Sequence, residues 1–158
     1  MNTRDQLSDD DRRSIERLQY RYCDLVDRAR VDELVDLFAD DAEIDYGHGR
    51  SISGADSLAT FFHDRFRAYS GTSHHLSNVM IDVDEDGAVN VQSSIYAWHQ
   101  FHDGSQVEVW GRYLDVVVRC DDGWRFGTRA IRAAGWRGFT VPEGEQGPFQ
   151  MIDREVVR

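Results

Sequence analysis

Apolar and polar positions follow a helical period near the start of the chain. Ser8 followed by Asp9, Asp10 and Asp11 is typical of a helix start, because serine caps the first turn and acidic side chains favour the positive end of the helix dipole. Apolar residues then recur every three or four positions, which is the spacing of one helix face. This stripe consists of Ile15, Leu18, Tyr22, Leu25, Val26 and Ala29. The pattern predicts a first amphipathic helix.

Two further helices and a strand are predicted before the middle of the chain. A short helix near Asp32 has an apolar face of Leu34, Leu37 and Phe38. Apolar and acidic residues then alternate up to Tyr46, which predicts a strand with the Tyr46 side chain in the interior. A third helix begins at about Ala55 and ends at Ser70-Gly71. Its apolar face consists of Leu58, Phe61, Phe62, Phe66 and Tyr69.

The second half of the chain alternates with a period of two. Strands are predicted over about residues 72–84, 88–101, 106–120 and 124–137. Asp-Gly pairs separate them, and such pairs favour tight hairpin turns. Helices followed by an antiparallel meander predict an α+β fold in which the helices pack on one face of a curved sheet.

Two histidines fall in phase with the apolar faces of the first two strands of this meander. A three-residue loop between the strands pairs Val83 with Val89, and this register sets His75 opposite Ala97. His99 is then the diagonal neighbour of His75, at a typical backbone separation of about 7–8 Å. We expect both imidazoles to line one pocket, although an inward histidine can also be a hydrogen-bonded core residue.

The phases of the last two strands decide which arginine faces inward. Arg132 is in phase with the apolar positions of the last strand, so that Arg129 and its alternating neighbours face outward. The third strand is apolar on both faces, and hairpins of two residues before it and three residues after it turn Trp110 inward. This register sets Arg112 opposite Arg132, a costly pairing of like charges in an interior. A bulge at Gly111 or an intervening carboxylate is therefore expected.

Length and charge narrow the classes of protein. With 158 residues the chain fits one domain, expected over residues 1–137, followed by an irregular tail over 138–158 that is either a lid or an oligomer contact. A net charge of −11 disfavours nucleic acid and anionic membranes as partners. The first twenty residues are too polar for a signal peptide, no apolar run is long enough to span a bilayer, and Cys23 and Cys120 lack metal-type spacing. We expect a cytoplasmic protein.

Short motifs spread over about residues 10 to 137 point to one family. They are Leu37-Phe38-Ala39-Asp40-Asp41-Ala42, His75, Gly111-Arg112-Tyr113-Leu114-Asp115 and Asp122-Gly123-Trp124-Arg125-Phe126. In this order they resemble the SnoaL-like branch of the nuclear transport factor 2-like superfamily. The resemblance implies a cone-shaped barrel of curved antiparallel sheet around N-terminal helices, with a ligand cavity at its mouth. It also implies a homodimer or homotrimer.

The resemblance extends to the sites of three groups of cofactor-free enzymes: scytalone dehydratases, bile-acid 7α-dehydratases and hexachlorocyclohexane dehydrochlorinases. These enzymes use an aspartate–histidine dyad, and the resemblance places Asp27 and His75 in it. Tyr22 matches a tyrosine of the bile-acid enzymes, Tyr46 an active tyrosine of the scytalone enzymes, and His99 their second histidine. The resemblance implies that no cofactor takes part.

The resemblance and the predicted inner faces also suggest residues that bind the substrate. Arg132 best matches an arginine of the bile-acid enzymes, although Arg129 suits the dehydrochlorinases better. Tyr113 stands where the scytalone enzymes have an asparagine, so substrate identity cannot be carried over. The expected substrate-binding residues are Tyr113, Arg132, Trp110 and Phe62.

These residue types suit the removal of water across a carbon–carbon bond. Neutral imidazole has a pKa suited to a general base, and we expect His75 in that role with Asp27 orienting its ring. Tyr22, Tyr46 or His99 would polarise a carbonyl or protonate the leaving hydroxyl. The helical period alone does not support Asp27, which lies about 140° around an ideal helix from Tyr22 and would then be a solvent carboxylate.

Other interpretations remain open at this stage. A metal site of His75, His99 and Asp27 is disfavoured because no local ligand spacing supports it. We expect His74, His48, His63 and His102 at the surface or in turns. The preferred hypothesis is a lyase that dehydrates a small hydrophobic cyclic, polyketide-like or steroid-like substrate. The alternatives are a polyketide cyclase or isomerase with the same base, and a noncatalytic ligand-binding module like the small subunits of ring-hydroxylating dioxygenases.

Overall fold

Three helices and seven strands follow one another in residues 7–153, the part of the chain that this computed structural model describes. The helices are α1 (Asp9–Asp27), α2 (Val31–Val35) and α3 (Ala55–Ala68). The strands are β1 (Phe38–Asp45), β2 (Ser51–Ser53), β3 (Tyr69–Val83), β4 (Val89–Phe101), β5 (Gln106–Cys120), β6 (Gly123–Arg137) and β7 (Gln150–Met151). The predicted cap of α1 is present, since the Ser8 hydroxyl accepts a hydrogen bond from the Asp11 amide. Phe38 opens β1 instead of extending the second helix.

The strands form one curved sheet with the order β2-β1-β6-β5-β4-β3, and β7 pairs with β6. The four long strands form the predicted antiparallel meander, and the α+β class is confirmed. Two details of the expected barrel differ: the path of strands remains open, and β1 and β7 each pair with β6 in parallel. The parallel pair is allowed because the chain between β1 and β6 passes through the whole meander before it returns.

The core lies between the helices and the concave face of the sheet. Helix α1 buries its apolar stripe there, and Tyr22 meets Phe126 of β6 edge to face, with ring centroids 5.9 Å apart. Phe38 of β1 packs against the same phenylalanine at 5.1 Å. Burial of aromatic rings of this size dominates the stability of such a core. A side chain of the sheet therefore reaches this core only if it lies on the concave face.

A bulge in β3 changes the phase of that strand. The predicted pairing of Val83 with Val89 is correct, and it holds back to the pair of Met80 with Gln92. The register then shifts by one residue before Ser77, next to Asn78, whose φ of 52° lies in the left-handed region. An extra residue on one strand turns all later side chains to the opposite face.

The hairpin before β5 is one residue longer than predicted. The Phe101 amide bonds to the Ser105 carbonyl, which encloses a three-residue loop, whereas a two-residue loop was expected. Ala97 consequently pairs with Val109 and not with Trp110. The prediction that Trp110 faces inward is therefore wrong: it is 36% exposed on the outer face, and Tyr113 is buried in its place.

Two bulges in β6 exchange the roles of its arginines. The register shifts at Gly127, so that Arg129 becomes the inward residue and is fully buried. Arg132, predicted to face inward, lies on the outer face, where it pairs with the Asp45 carboxylate. Arg112 does pair with Arg132 across the strands, although the hairpin after β5 differs from the expected one. Cys120 pairs with Gly123, so the loop has two residues instead of three, and the extra residue at Gly127 restores the predicted pairing. The Asp45 carboxylate offsets that like-charge pairing.

Candidate active site

The last residue of α1 meets β3 in an aspartate–histidine pair. One Asp27 carboxylate oxygen accepts a hydrogen bond from Nδ1 of His74 at 2.7 Å, and the other accepts from the His74 backbone amide at 2.8 Å. The Thr72 hydroxyl donates to the same carboxylate at 2.9 Å. Because a carboxylate accepts a proton donor, this contact places a hydrogen on Nδ1 and leaves the lone pair on Nε2. Asp27 thus sets both the tautomer and the orientation of the His74 ring.

The charge state of Asp27 agrees with this role. Partial burial disfavours the ionised carboxylate, but the hydrogen bonds from His74 and Thr72 outweigh that effect and lower the pKa of Asp27 below its ordinary value. The His74 side chain is only 6% exposed. A partly buried, ionised Asp27 would stabilise a positive charge that forms on the imidazole during a reaction.

His75, the predicted partner of Asp27, lies on the other face of the strand. It pairs with Tyr96 instead of Ala97, its Nε2 contacts the Ser73 hydroxyl at 3.0 Å, and it is exposed. The prediction that His75 faces the cavity is wrong because the bulge at Asn78 turns the neighbouring His74 inward. His74, expected at the surface, was missed. The signal was Asn78 itself, since asparagine adopts the left-handed conformation more readily than most residues and so marks a bulge.

His74, oriented by Asp27, lines an aromatic cavity of about 400 Å³. This volume falls in the range of sites that bind small molecules. The polar groups of the wall are few and come from α1, α3, β3, β4 and the loop between β1 and β2. The lining consists of Tyr22, Val26, Tyr46, Arg50, Ile52, Phe61, Phe62, Arg65, Phe66, Tyr69, Thr72, His74, His99, Phe139, Pro148 and Phe149. The cavity can therefore hold an apolar ligand with a few polar substituents directed at the histidine end.

Three predicted site residues, His99, Tyr22 and Tyr46, line this cavity together with His74. His99 meets the His74 ring edge to face, with centroids 5.1 Å apart. Burial, with a smaller contribution from His74, lowers the pKa of His99 to about 4, so its ring is neutral at neutral pH. Burial raises the pKa of Tyr22 to about 12 and raises that of Tyr46 still further. Both phenols therefore remain protonated and able to donate a hydrogen bond.

The low pKa of His99 predicts a pH-dependent stability. Between about pH 6.5 and about pH 4 the unfolded chain binds a proton at His99 that the folded protein does not bind, so the free energy of unfolding decreases as the pH falls through this window. His99→Gln is expected to flatten this dependence in urea denaturation measured at several pH values. The exposed His63 provides the control, because His63→Gln should leave the slope unchanged. An unchanged slope in His99→Gln would contradict the assignment.

The predicted substrate-binding residues divide into three groups. Phe62 lines the cavity as expected. Tyr113 lies beneath it, fully surrounded, with its ring 5.8 Å from Tyr22. Trp110 and Arg132 lie on the outer face of the sheet, so they do not contact a ligand in this cavity. The inward arginine is Arg129, which also lies beneath the cavity and contacts the Tyr22 ring at 4.1 Å.

The tail after β6 returns to the mouth of the cavity. The Gln150 amide donates to the Tyr46 carbonyl at 3.2 Å, and the Arg50 guanidinium donates to the Pro148 carbonyl at 2.6 Å. These bonds place Phe149 against Tyr46, with ring centroids 6.0 Å apart. The tail therefore supplies part of the wall, which composition alone did not predict.

Residues 7–153 contain no group of three or more histidine, cysteine, aspartate or glutamate side chains arranged to hold a metal ion. Within the same range, none of the helices is both long and apolar enough to cross a membrane.

The domain has the nuclear transport factor 2-like fold, in which an open, curved sheet packs against helices and encloses an aromatic cavity with polar groups in its wall. The profile of the SnoaL-like domain matches residues 9–130. The chain belongs to this family. No protein of curated function matches it.

Several solved structures are similar over most of the chain. A proposed scytalone dehydratase from Novosphingobium aromaticivorans is 29% identical, with a TM-score of 0.80 over 91% of this chain and 94% of that one. A proposed aromatic ring hydroxylase from the same organism is 27% identical, with a TM-score of 0.79 over 85% and 96%. A hexachlorocyclohexane dehydrochlorinase from Novosphingobium barchaimii is 18% identical, with a TM-score of 0.73 over 85% and 99%, and this likeness concerns the fold alone. The family and these neighbours support an enzyme that converts a small molecule.

Proposed function

We propose that this protein is a cofactor-independent lyase that removes water from a hydrophobic cyclic substrate, using His74 and Asp27 as its dyad. The observation that carries the proposal is the 2.7 Å contact between the Asp27 carboxylate and Nδ1 of His74 at the end of an aromatic cavity. Among the described residues Nε2 of His74 has no hydrogen-bond partner, so it is free to meet a ligand. The similarity to a proposed scytalone dehydratase supports the same class of reaction.

The proposed reaction is an elimination next to a carbonyl group. Nε2 of His74 takes the proton from the carbon beside the carbonyl, and the electron pair of that bond forms the new carbon–carbon double bond as the carbon–oxygen bond breaks. The departing hydroxyl takes a proton from a neighbouring donor and leaves as water. The proton on His74 then restores that donor. General bases of this kind typically contribute about 10²–10⁴-fold to the rate.

Protonated phenols and a neutral imidazole supply the remaining groups. Tyr22 and Tyr46 keep their protons because burial raises the pKa of each, so either can donate to the carbonyl oxygen or to the departing hydroxyl. His99 is neutral and meets the His74 ring edge to face, so its ring N–H can also donate to the carbonyl oxygen or to the departing hydroxyl. Donors placed where negative charge develops lower the barrier because they need no reorganisation during the reaction.

The tail is proposed to act as a lid. Phe149 borders the cavity, and the bonds from Arg50 and to Tyr46 hold the segment at its mouth. Closure of this segment over a ligand would exclude water from His74, which strengthens electrostatic interactions at the reacting atoms.

The test is a product-mass assay with a panel of cyclic β-hydroxy ketones of bicyclic and steroid-like size. Dehydration lowers the mass by one water and creates a conjugated enone, which absorbs in the near ultraviolet. A product of unchanged mass would instead indicate cyclisation or isomerisation by the same base, and would contradict the dehydratase. Absence of any product across the panel would favour a noncatalytic binding domain.

Asp27→Asn is the variant that links this activity to the dyad. It is expected to abolish turnover, because an amide can present its N–H to Nδ1 and favour the wrong tautomer. Asp24→Asn on the same helix is the matched control, since Asp24 is exposed and its ion-pair partner within residues 7–153 is the surface residue Arg28, at 3.5 Å. Full activity in Asp27→Asn would remove the dyad from the mechanism.

A further inference from the structure

The charged side chains that line the cavity are arginines. Among the residues that the structure describes, the lining includes Arg50 and Arg65 and no aspartate or glutamate, in a chain whose net charge is −11. The ionised carboxylate of the dyad, Asp27, does not line the cavity and accepts three hydrogen bonds from Thr72 and His74. An anionic group of a ligand can therefore pair with an arginine of the cavity wall without an acidic side chain of the lining competing for it.

Arg65 carries this charge without a protein partner. Its guanidinium carbon lies 5.2 Å from the centroid of the Phe61 ring, which also lines the cavity. Among residues 7–153 no acidic side chain lies within ion-pair distance of Arg65. Arg50 differs, because one of its nitrogens already donates to the carbonyls of Gly147 and Pro148 and fixes the tail.

The neighbouring arginine on the same helix has a different environment. Arg67 follows Arg65 by about 200° around α3, so the two project from opposite sides. Arg67 faces the depression between α2 and α3 and lies 3.9 Å from Asp64. The sequence of α3 thus places Arg67 beside a surface acid, whereas Arg65, which is also exposed to solvent, borders the cavity.

We propose that the substrate of this cavity carries a carboxylate, and that Arg65 binds it at the wall formed by α3. This inference rests on the proposed function, for which it names the substrate class. The planar guanidinium can bind both carboxylate oxygens with two parallel N–H donors. The apolar body of the substrate then lies along Phe61 and Phe62, with its reacting carbon directed at His74.

The experiment compares two probes of equal shape, naphthalene carboxylate and naphthalene carboxamide, by isothermal titration calorimetry. The wild-type protein is expected to bind the carboxylate about tenfold more tightly, the size of one charge-assisted hydrogen-bonded pair. Arg65→Gln should remove this preference. Arg67→Gln, which makes the same change of charge on the same helix, should retain it.

Several outcomes would overturn the inference. They are equal affinity for both probes in the wild-type protein, no binding of the carboxylate, or a preference that survives Arg65→Gln. Tighter binding of naphthyl phosphate than of the carboxylate would also overturn it, in favour of a phosphate ester.

The inference and the proposed function can fail separately. A carboxylate preference without dehydration of any substrate would count against the lyase alone. Dehydration without a carboxylate preference would count against the role of Arg65 alone.

Discussion

His74→Ala is expected to lower the turnover of a dehydrated substrate by about 10²–10⁴-fold, the usual contribution of a general base. His75→Ala is expected to leave turnover within about twofold. The two histidines are adjacent in sequence. Of the two, His74 is the one that is hydrogen-bonded to Asp27 and lines the cavity. His75 contacts the Ser73 hydroxyl on the opposite face.

The comparison is informative because both variants remove the same side chain from the same strand. Rates would be measured by loss of one water from the substrate, with urea denaturation confirming that each variant folds. If His75→Ala lost as much activity as His74→Ala, a general effect on β3 would explain the result better than the dyad. Full activity in His74→Ala would exclude this residue as the base.

Asp115→Ala is expected to destabilise the protein by about 3–5 kcal/mol, because it leaves a charged guanidinium unpaired in the core. Asp115 and Arg129 have no exposed side-chain surface and form two hydrogen bonds, at 2.8 and 2.9 Å. Burial disfavours the charged guanidinium, but the Asp115 carboxylate more than offsets this and raises the pKa of Arg129. Gln19 accepts a further bond from Arg129 at 2.6 Å.

A surface pair of the same chemistry provides the control. Asp122 and Arg125 lie 2.8 Å apart near the turn before β6, with the Asp122 side chain 67% exposed, so Asp122→Ala should cost far less stability than Asp115→Ala. The double replacement of Asp115 by Leu and Arg129 by Met should recover much of the lost stability, since it leaves no buried charge. Equal losses in Asp115→Ala and Asp122→Ala, measured by urea denaturation, would contradict this account.

The stability prediction also bears on the site. Arg129 lies 4.1 Å from the centroids of the Tyr22, Tyr113 and Phe126 rings. Tyr22 is thus held between the buried ion pair below and the cavity above. Loss of Asp115 should therefore disturb a residue that faces the ligand, even though Asp115 itself does not.

The sequence predicted most of the residues that line the cavity, but it placed one histidine and one arginine on the wrong face of their strands. Asp27 was chosen by resemblance against the helical period, and it does face the strand because α1 ends there. Tyr22, Tyr46, His99 and Phe62 also line the cavity. The predicted histidine, His75, is one position from the inward one, and the predicted arginine, Arg132, is three positions from the inward one. Both displacements have the same origin, an extra residue in a strand.

By itself the sequence determined the three helices, β1 and the four long strands, because hydrophobic period, capping and turn residues act over short distances along the chain. It also determined the α+β class. The short strands β2 and β7 were not predicted, because each depends on pairing with a neighbouring strand. Only the tertiary structure decided which face each side chain occupies. A strand has a period of two, so one bulge at Asn78 or Gly127, or one more residue in the loop before β5, reverses every side chain beyond it. Whether such a shift forms depends on the energy of packing both strands against the distant core, where His74 and Arg129 find Asp27 and Asp115.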